Sequence, residues 1–135
     1  MPDYTKKNLS EIKDSAQEFG IGEIQEARFP AEDLDSKATG VGHLRLKPGK
    51  RQAFGHRHEE AEEIYFVVAG SGRVMLEDEL VELEKGDLLR VAPEVTRRFE
   101  ADDEGLEYVV FGKWHEGDGE IDSDFWAPED SGSDG

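Results

Sequence analysis

Two histidines stand one residue apart, His56 and His58, inside the stretch "FGHRHEEAEEIYFVVAGSG" that runs from residue 54 to 72. Four glutamates follow them, and the chain then turns apolar. On an extended strand successive side chains alternate between faces, so both imidazoles project the same way and can converge on one point. That is a chelating geometry. Imidazole and carboxylate donors suit divalent Fe, Mn, Ni, Zn or Cu, and a useful site needs at least three such groups. With no cysteine in the chain, any metal must sit on nitrogen and oxygen ligands. If "EEAE" is a turn, Glu63 opens the next strand, with Glu63, Tyr65 and Val67 on one face and Ile64, Phe66 and Val68 on the other. Glu63 then lies beside the histidines as a third metal ligand. Tyr65 shares its face, either as a hydroxyl that contacts a ligand or as a core aromatic.

Strands and turns must position these groups, and the chain supplies them. "NLSEIKDSAQE" (8–18) carries Leu9, Ile12 and Ala16 at helical spacing, with Asn8 or Ser10 as N-cap, and predicts a short helix. "FGIGEIQEARF" predicts a first strand, and "GVGHLRL" alternates cleanly before the turn signal "KPGK". "GSGRVMLEDELVELEKGD" reads as a hairpin turning near Glu77 to Glu79. "LLRVAPEVTRRFEA" and "LEYVVFGKW" follow as strands separated by a turn at "DDEG". Short strands at about ten-residue spacing mark an antiparallel sandwich or barrel. His43, central in an alternating strand, reads as a sheet residue, with a ligand role as the alternative. Glu59, Glu60 and Glu62 read as a solvated turn. Trp114, Phe125 and Trp126 are too apolar for a free tail, and are expected to fold back over the barrel or to cover a dimer neighbour, with His115 on the surface. From about Glu129 the acidic end is expected to be disordered.

At 135 residues the chain suits one domain. Its 33 acidic against 16 basic residues give a net charge of −17, which argues against nucleic acid and anionic membranes as partners. No apolar run is long enough to span a bilayer, and the start "MPDYTKKNLSEIKD" lacks the apolar middle of a signal peptide, so a cytoplasmic protein is expected. "DGEIDSD" lacks the sixth-position glycine of a calcium loop, and Gly70 and Gly72 lack the strand-to-helix context of a phosphate cradle.

The motifs resemble those of a known family. Gly49, six residues, His56-x-His58, four residues, Glu63, six residues and Gly70 look like the first motif of the cupins, differing by one residue in the opening gap. Gly86-Asp87 and Pro93, followed by "EVTRRF", are similar to the second. The resemblance covers about residues 40 to 112 and is to small single-domain cupins of the type 2 conserved-barrel group. It implies an all-β fold: a single antiparallel jelly-roll barrel with a short N-terminal helix and an acidic C-terminal tail. The implied division is 1–39 for the helix and first strand, 40–112 for the barrel, and 113–135 for the acidic aromatic-containing segment. Where cupins place their last histidine ligand stands Arg97, and Glu94 stands where a glycine is usual. A guanidinium cannot ligate a cation, so Arg97 makes metal binding weak or absent, or replaces the metal's charge by pairing with Glu63.

Three functions follow from the resemblance: a barrel that binds a small polar or anionic ligand with or without a divalent metal, Arg97 and Tyr65 contacting the ligand; a mononuclear metal enzyme of dioxygenase, isomerase or decarboxylase type acting on a small organic acid, with Arg97 clamping the carboxylate; or a structural barrel without ligand, His56 and His58 lining a wet mouth. A homodimer is the family default. The charge is also of the kind seen in proteins adapted to molar salt, where screening shrinks to roughly 3 Å. The midpoint of thermal unfolding should therefore rise between salt-free buffer and molar potassium chloride, and equal midpoints would contradict that reading.

Overall fold

The computed structural model describes residues 2–113 and 118–128 of the chain. The expected single helix over 8–18 forms instead as two short turns. A 3₁₀ turn at Leu9–Glu11 is capped by the Asn8 side chain, which accepts from the Ser10 backbone N–H at 3.0 Å, and helix α1 follows at Ser15–Glu18. Between them Ile12 is extended and buried, while the Asp14 carboxylate accepts from the N–H groups of Ala16 and Ala27 at 3.0 and 2.9 Å. A capping side chain that also ties down a neighbouring strand leaves no room for one continuous helix.

Eight strands follow: β1 (Gln25–Arg28), β2 (Thr39–Leu46), β3 (Gly55–His58), β4 (Glu63–Leu76), β5 (Glu79–Glu84), β6 (Leu88–Val91), β7 (Arg97–Lys113) and β8 (Gly119–Asp122). Every pairing is antiparallel. Long strands β4 and β7 pair along nearly their whole length, from Glu63 opposite Gly112 to Leu76 opposite Arg97. Their two halves belong to two faces of the barrel. One face runs β1, β2, the C-terminal half of β7, the N-terminal half of β4, then β6; the other runs β8, β3, the N-terminal half of β7, the C-terminal half of β4, then β5. This is the jelly-roll barrel that the motifs imply.

"DDEG", expected to reverse the chain, does not do so. β7 continues through it and bends, with Gly105 at φ 85° and register shifts in β4 at Val67/Ala69 and Gly70/Gly72. Bulges opposite a positive-φ glycine turn a paired strand through a corner while the ladder carries on. A Cβ on Gly70, itself at φ 77°, would come within 2.0 Å of the Gly105 carbonyl oxygen. Inside the barrel Leu46, Val67, Val74, Phe99, Leu106 and Tyr108 are fully buried, and the Phe99 and Tyr108 rings stack with centroids 4.6 Å apart.

The C-terminal segment returns to the barrel. β8 pairs with β3, Phe125 packs on Gly55, and the Arg51 guanidinium lies 3.7 Å over the Trp126 ring. Arg98 donates to the Phe125 carbonyl at 2.9 Å. Trp114, His115 and the tail from Glu129 lie outside the described residues. No helix among the described residues is long and apolar enough to cross a membrane.

Gly70→Ala should cost roughly 1–3 kcal/mol in urea unfolding, since the added methyl meets backbone rather than a movable side chain. An unchanged midpoint would show that the corner does not depend on this close approach.

Candidate metal centre

β3 is a four-residue strand on which His56 and His58 face inward while Arg57 faces out to Glu120 at 2.6 Å. The exposed glutamates of 59–62 form the connection, and Glu63 is the first residue of β4. The inward set Glu63, Tyr65 and Val67 and the outward set Ile64 and Phe66 alternate along β4 as its spacing predicts. Arg97 begins β7 directly opposite His56. Three strands thus deliver four side chains to one carboxylate.

They meet at a single atom. Glu63 Oε1 accepts from the Tyr65 hydroxyl at 2.6 Å and lies 3.3 Å from His58 Nε2, 3.4 Å from an Arg97 terminal nitrogen and 3.7 Å from His56 Nε2. The two imidazoles stand edge to face, 5.2 Å apart. Arg97 is 0% exposed; its other terminal nitrogen donates to the carbonyls of Val95 and Pro93 at 2.7 and 3.3 Å.

Burial pushes the Glu63 carboxyl up, but the nearby imidazoles of His56 and His58 and the hydrogen bond from Tyr65 outweigh it and hold the group well below the usual carboxylate range. Burial, reinforced by the Glu63 charge, raises the Tyr65 phenol far above its ordinary value and keeps it a neutral donor. Burial lowers His56, and the Arg97 charge adds to that against the opposing pull of the Glu63 carboxylate, so neutral imidazole is favoured. Neutral imidazole and ionised carboxylate are the forms that bind metal.

The donor set passes a direct test of fit. Ligand atoms of His56, His58 and Glu63 all lie within 4.8 Å of one another, and the buried Nε2 of His58 has no hydrogen-bond partner. An orphaned imidazole nitrogen facing a carboxylate oxygen is what a bound cation would satisfy. His56, His58 and Glu63 therefore could hold a metal ion, with the Arg97 guanidinium close by, 3.4 Å from Glu63 Oε1.

His56, His58, Glu63 and Tyr65 line a cavity of about 330 Å³ whose other walls are mainly apolar, with Ser15, Gln25, Gln52 and Tyr108 as further polar groups. His58 and Glu63 also face a second, outer cavity of about 730 Å³ beneath the N-terminal turns. Arg97 lines neither; it stands behind Glu63. His43 bonds Glu107 at 2.7 Å, away from the centre. Sequence reading misses Asp118, whose carboxylate lies 3.3 Å from His58 Nδ1. Its only signal is the weak strand "GEID" beside it, in a stretch where acids are common.

Residues 42–112 match the sequence profile of a family described as "Cupin domain". This chain belongs to the cupin family. Among solved structures, this cupin superposes on a cupin protein from Bacteroides fragilis over 100% of its own chain and 97% of the other, with 22% identity and a TM-score of 0.67. Oxalate decarboxylase from Bacillus subtilis matches over 90% of this chain at 22% identity and a TM-score of 0.72, and the chain spans 32% of it. A variant of Streptomyces PAC13, solved with uridine, matches over 86% of this chain and 88% of that one at 18% identity, with a TM-score of 0.69. The uncharacterized protein MJ1618 of Methanocaldococcus jannaschii is 36% identical over 45 residues, which span 33% of this chain and 36% of that protein.

Because folding lowers the His56 pKa, the unfolded chain binds the proton first as pH falls, so this group stabilises the fold above about pH 6.5 and less below it. Glu63 acts with the same sign lower down, stabilising above about pH 4.3 and losing that contribution as pH falls. In metal-free protein, His56→Gln should remove part of the loss of stability between about pH 7 and 5 while leaving the steeper loss below about pH 4.3. Parallel wild-type and variant profiles in urea titrations would contradict this.

Proposed function

We propose that this cupin binds one divalent metal at His56, His58 and Glu63 and uses it to engage a small molecule admitted to the barrel cavity. The observation that carries this reading is the convergence of both imidazoles on Glu63 Oε1, with a buried His58 nitrogen left without a partner. Nitrogen and oxygen donors suit Fe, Mn, Ni, Zn or Cu. A metal held there supplies Lewis-acid polarisation of whatever oxygen it binds.

The chain's own groups select the ligand. The inner cavity is mainly apolar and has no Lys or Arg among its lining residues, so the body of the ligand is apolar and its polar end lies toward the histidines, Glu63 and Tyr65. An anionic end finds its cation in the metal. Arg97, turned toward Glu63 and two backbone carbonyls, keeps Glu63 ionised from behind in place of clamping the ligand.

The same cupin forms a homodimer in this reading. Ile64 and Phe66 on β4, Leu88 on β6 and Phe111 on β7 stand as paired neighbours on one outer sheet face, all exposed, with Leu88 71% so. A contiguous apolar face on a chain with a net charge of −17 is a place for a self-complementary contact.

Native mass spectrometry of protein purified without chelator reads both claims. Wild type should appear as a dimer carrying about one divalent ion per chain. The His56→Ala, His58→Ala double variant should stay dimeric and lose the ion, whereas Ile64→Glu with Phe111→Glu should become monomeric and keep it. Metal far below one per chain in wild type would contradict the site, and a monomer would contradict the interface.

A further inference from the structure

Asp118 belongs to a part of the chain remote in sequence from the three ligands, yet its side chain is only 6% exposed. One carboxylate oxygen accepts from the backbone N–H groups of Glu59 and Glu60, each at 3.0 Å. The other accepts from the Ala61 N–H at 3.1 Å and lies 3.3 Å from His58 Nδ1, a buried nitrogen that faces this anion without a formed hydrogen bond. Three backbone N–H donors converge on this one carboxylate, the arrangement that holds an anion in place, so a negative charge faces the ring. The opposite nitrogen of the same ring, Nε2, points toward Glu63.

From this geometry we infer that Asp118 is a positioning residue for the metal centre: its carboxylate, 3.3 Å from His58 Nδ1, fixes the ring's proton on that nitrogen by charge and so presents the Nε2 lone pair to the site beside Glu63. The inference rests on the metal reading above. A ligating histidine that donates its second ring N–H to a carboxylate has its tautomer and orientation set, and loss of such a partner typically lowers metal affinity 10- to 100-fold. Asp118 is suited to the task because its own position is set by the connection between two of the ligand-bearing strands. The three N–H groups that hold it come from residues 59–61, between His58 and Glu63. Pairing of Gly119 with His58, and of Ile121 with His56, brings it there. The C-terminal segment is thereby part of the centre.

Capping of residues 59–61 alone would also explain a buried Asp118, and the test separates the two roles. Co²⁺ affinity is measured by chelator competition on full-length wild type and Asp118→Asn at one fixed pH, with long-range ¹H–¹⁵N spectra of the imidazoles recorded with and without metal. Asparagine keeps a carbonyl oxygen for the backbone N–H groups and loses the anion facing Nδ1. Positioning predicts a loss of about 10- to 100-fold in Co²⁺ affinity and, in the metal-free spectra, displaced His58 ring resonances, with those of His43, held on Glu107 away from the centre, unmoved as an internal control. Affinity within about twofold of wild type and an unmoved His58 Nδ1 resonance would overturn the inference and leave only a loop cap. Should the variant fail to fold, the wild-type spectrum decides: a resolved, slowly exchanging Nδ1–H on His58 supports positioning, and its absence refutes it. No Co²⁺ uptake by wild type would sink the metal reading itself, with the metal-free spectra still deciding whether Asp118 holds the ring.

Discussion

One oxygen atom, Glu63 Oε1, is the point on which this centre depends. A phenol, two imidazoles and a guanidinium all address it, delivered by three strands. Such crowding is tolerable only if the carboxylate stays charged, because three of the groups around it are cations or become cations when protonated. The barrel meets that condition through register. Pairing of β3 with β7 sets Arg97 opposite His56, and pairing of β4 with β7 sets the far end of β7 beside Glu63. A one-residue slip in either ladder would turn an inward ligand outward.

Arg97 gives the centre its unusual electrostatics. A fully buried guanidinium needs partners, and removing one member of such a buried pair typically costs about 3–5 kcal/mol. Here the partners are the Glu63 carboxylate, as an ion pair, and the carbonyls of Val95 and Pro93, which leave its Nε and the terminal nitrogen facing Glu63 without a hydrogen bond. The guanidinium thus acts as a resident cation on the carboxylate that a metal would also use. A divalent ion at His56, His58 and Glu63 would have this positive charge as a neighbour, a repulsion that three free ligands would not impose. Asp118, on the far side of His58, restores negative charge to the surroundings.

How much of this was legible in the sequence follows from the range of each signal. Two-residue alternation is local, so the common face of His56 and His58, and of Glu63 and Tyr65, could be read from their spacing alone. Arg97 came into view only through the resemblance to cupins, since nothing in "EVTRRF" says which of its residues faces inward. "DDEG" carries the composition of a turn, but bulges opposite it and the φ of Gly105 make it a corner, and such pairing is non-local. The split of the first helix had the same cause: Asp14 caps and also bonds Ala27, thirteen residues on. Asp118 lies far along the chain from His58 and grips backbone N–H groups, which carry no side-chain signature for spacing to reveal.

The most direct test of the whole account is the carboxyl ¹³C resonance of Glu63, followed in the metal-free protein from about pH 6 to pH 3. An ordinary glutamate is half protonated near about pH 4.3. If His56, His58, Tyr65 and Arg97 all bear on this one group, the resonance should stay at its ionised position through that region, for as long as the barrel remains folded. A midpoint at or above the ordinary value would mean that these groups do not stabilise the carboxylate, and the centre described above would not exist in that form.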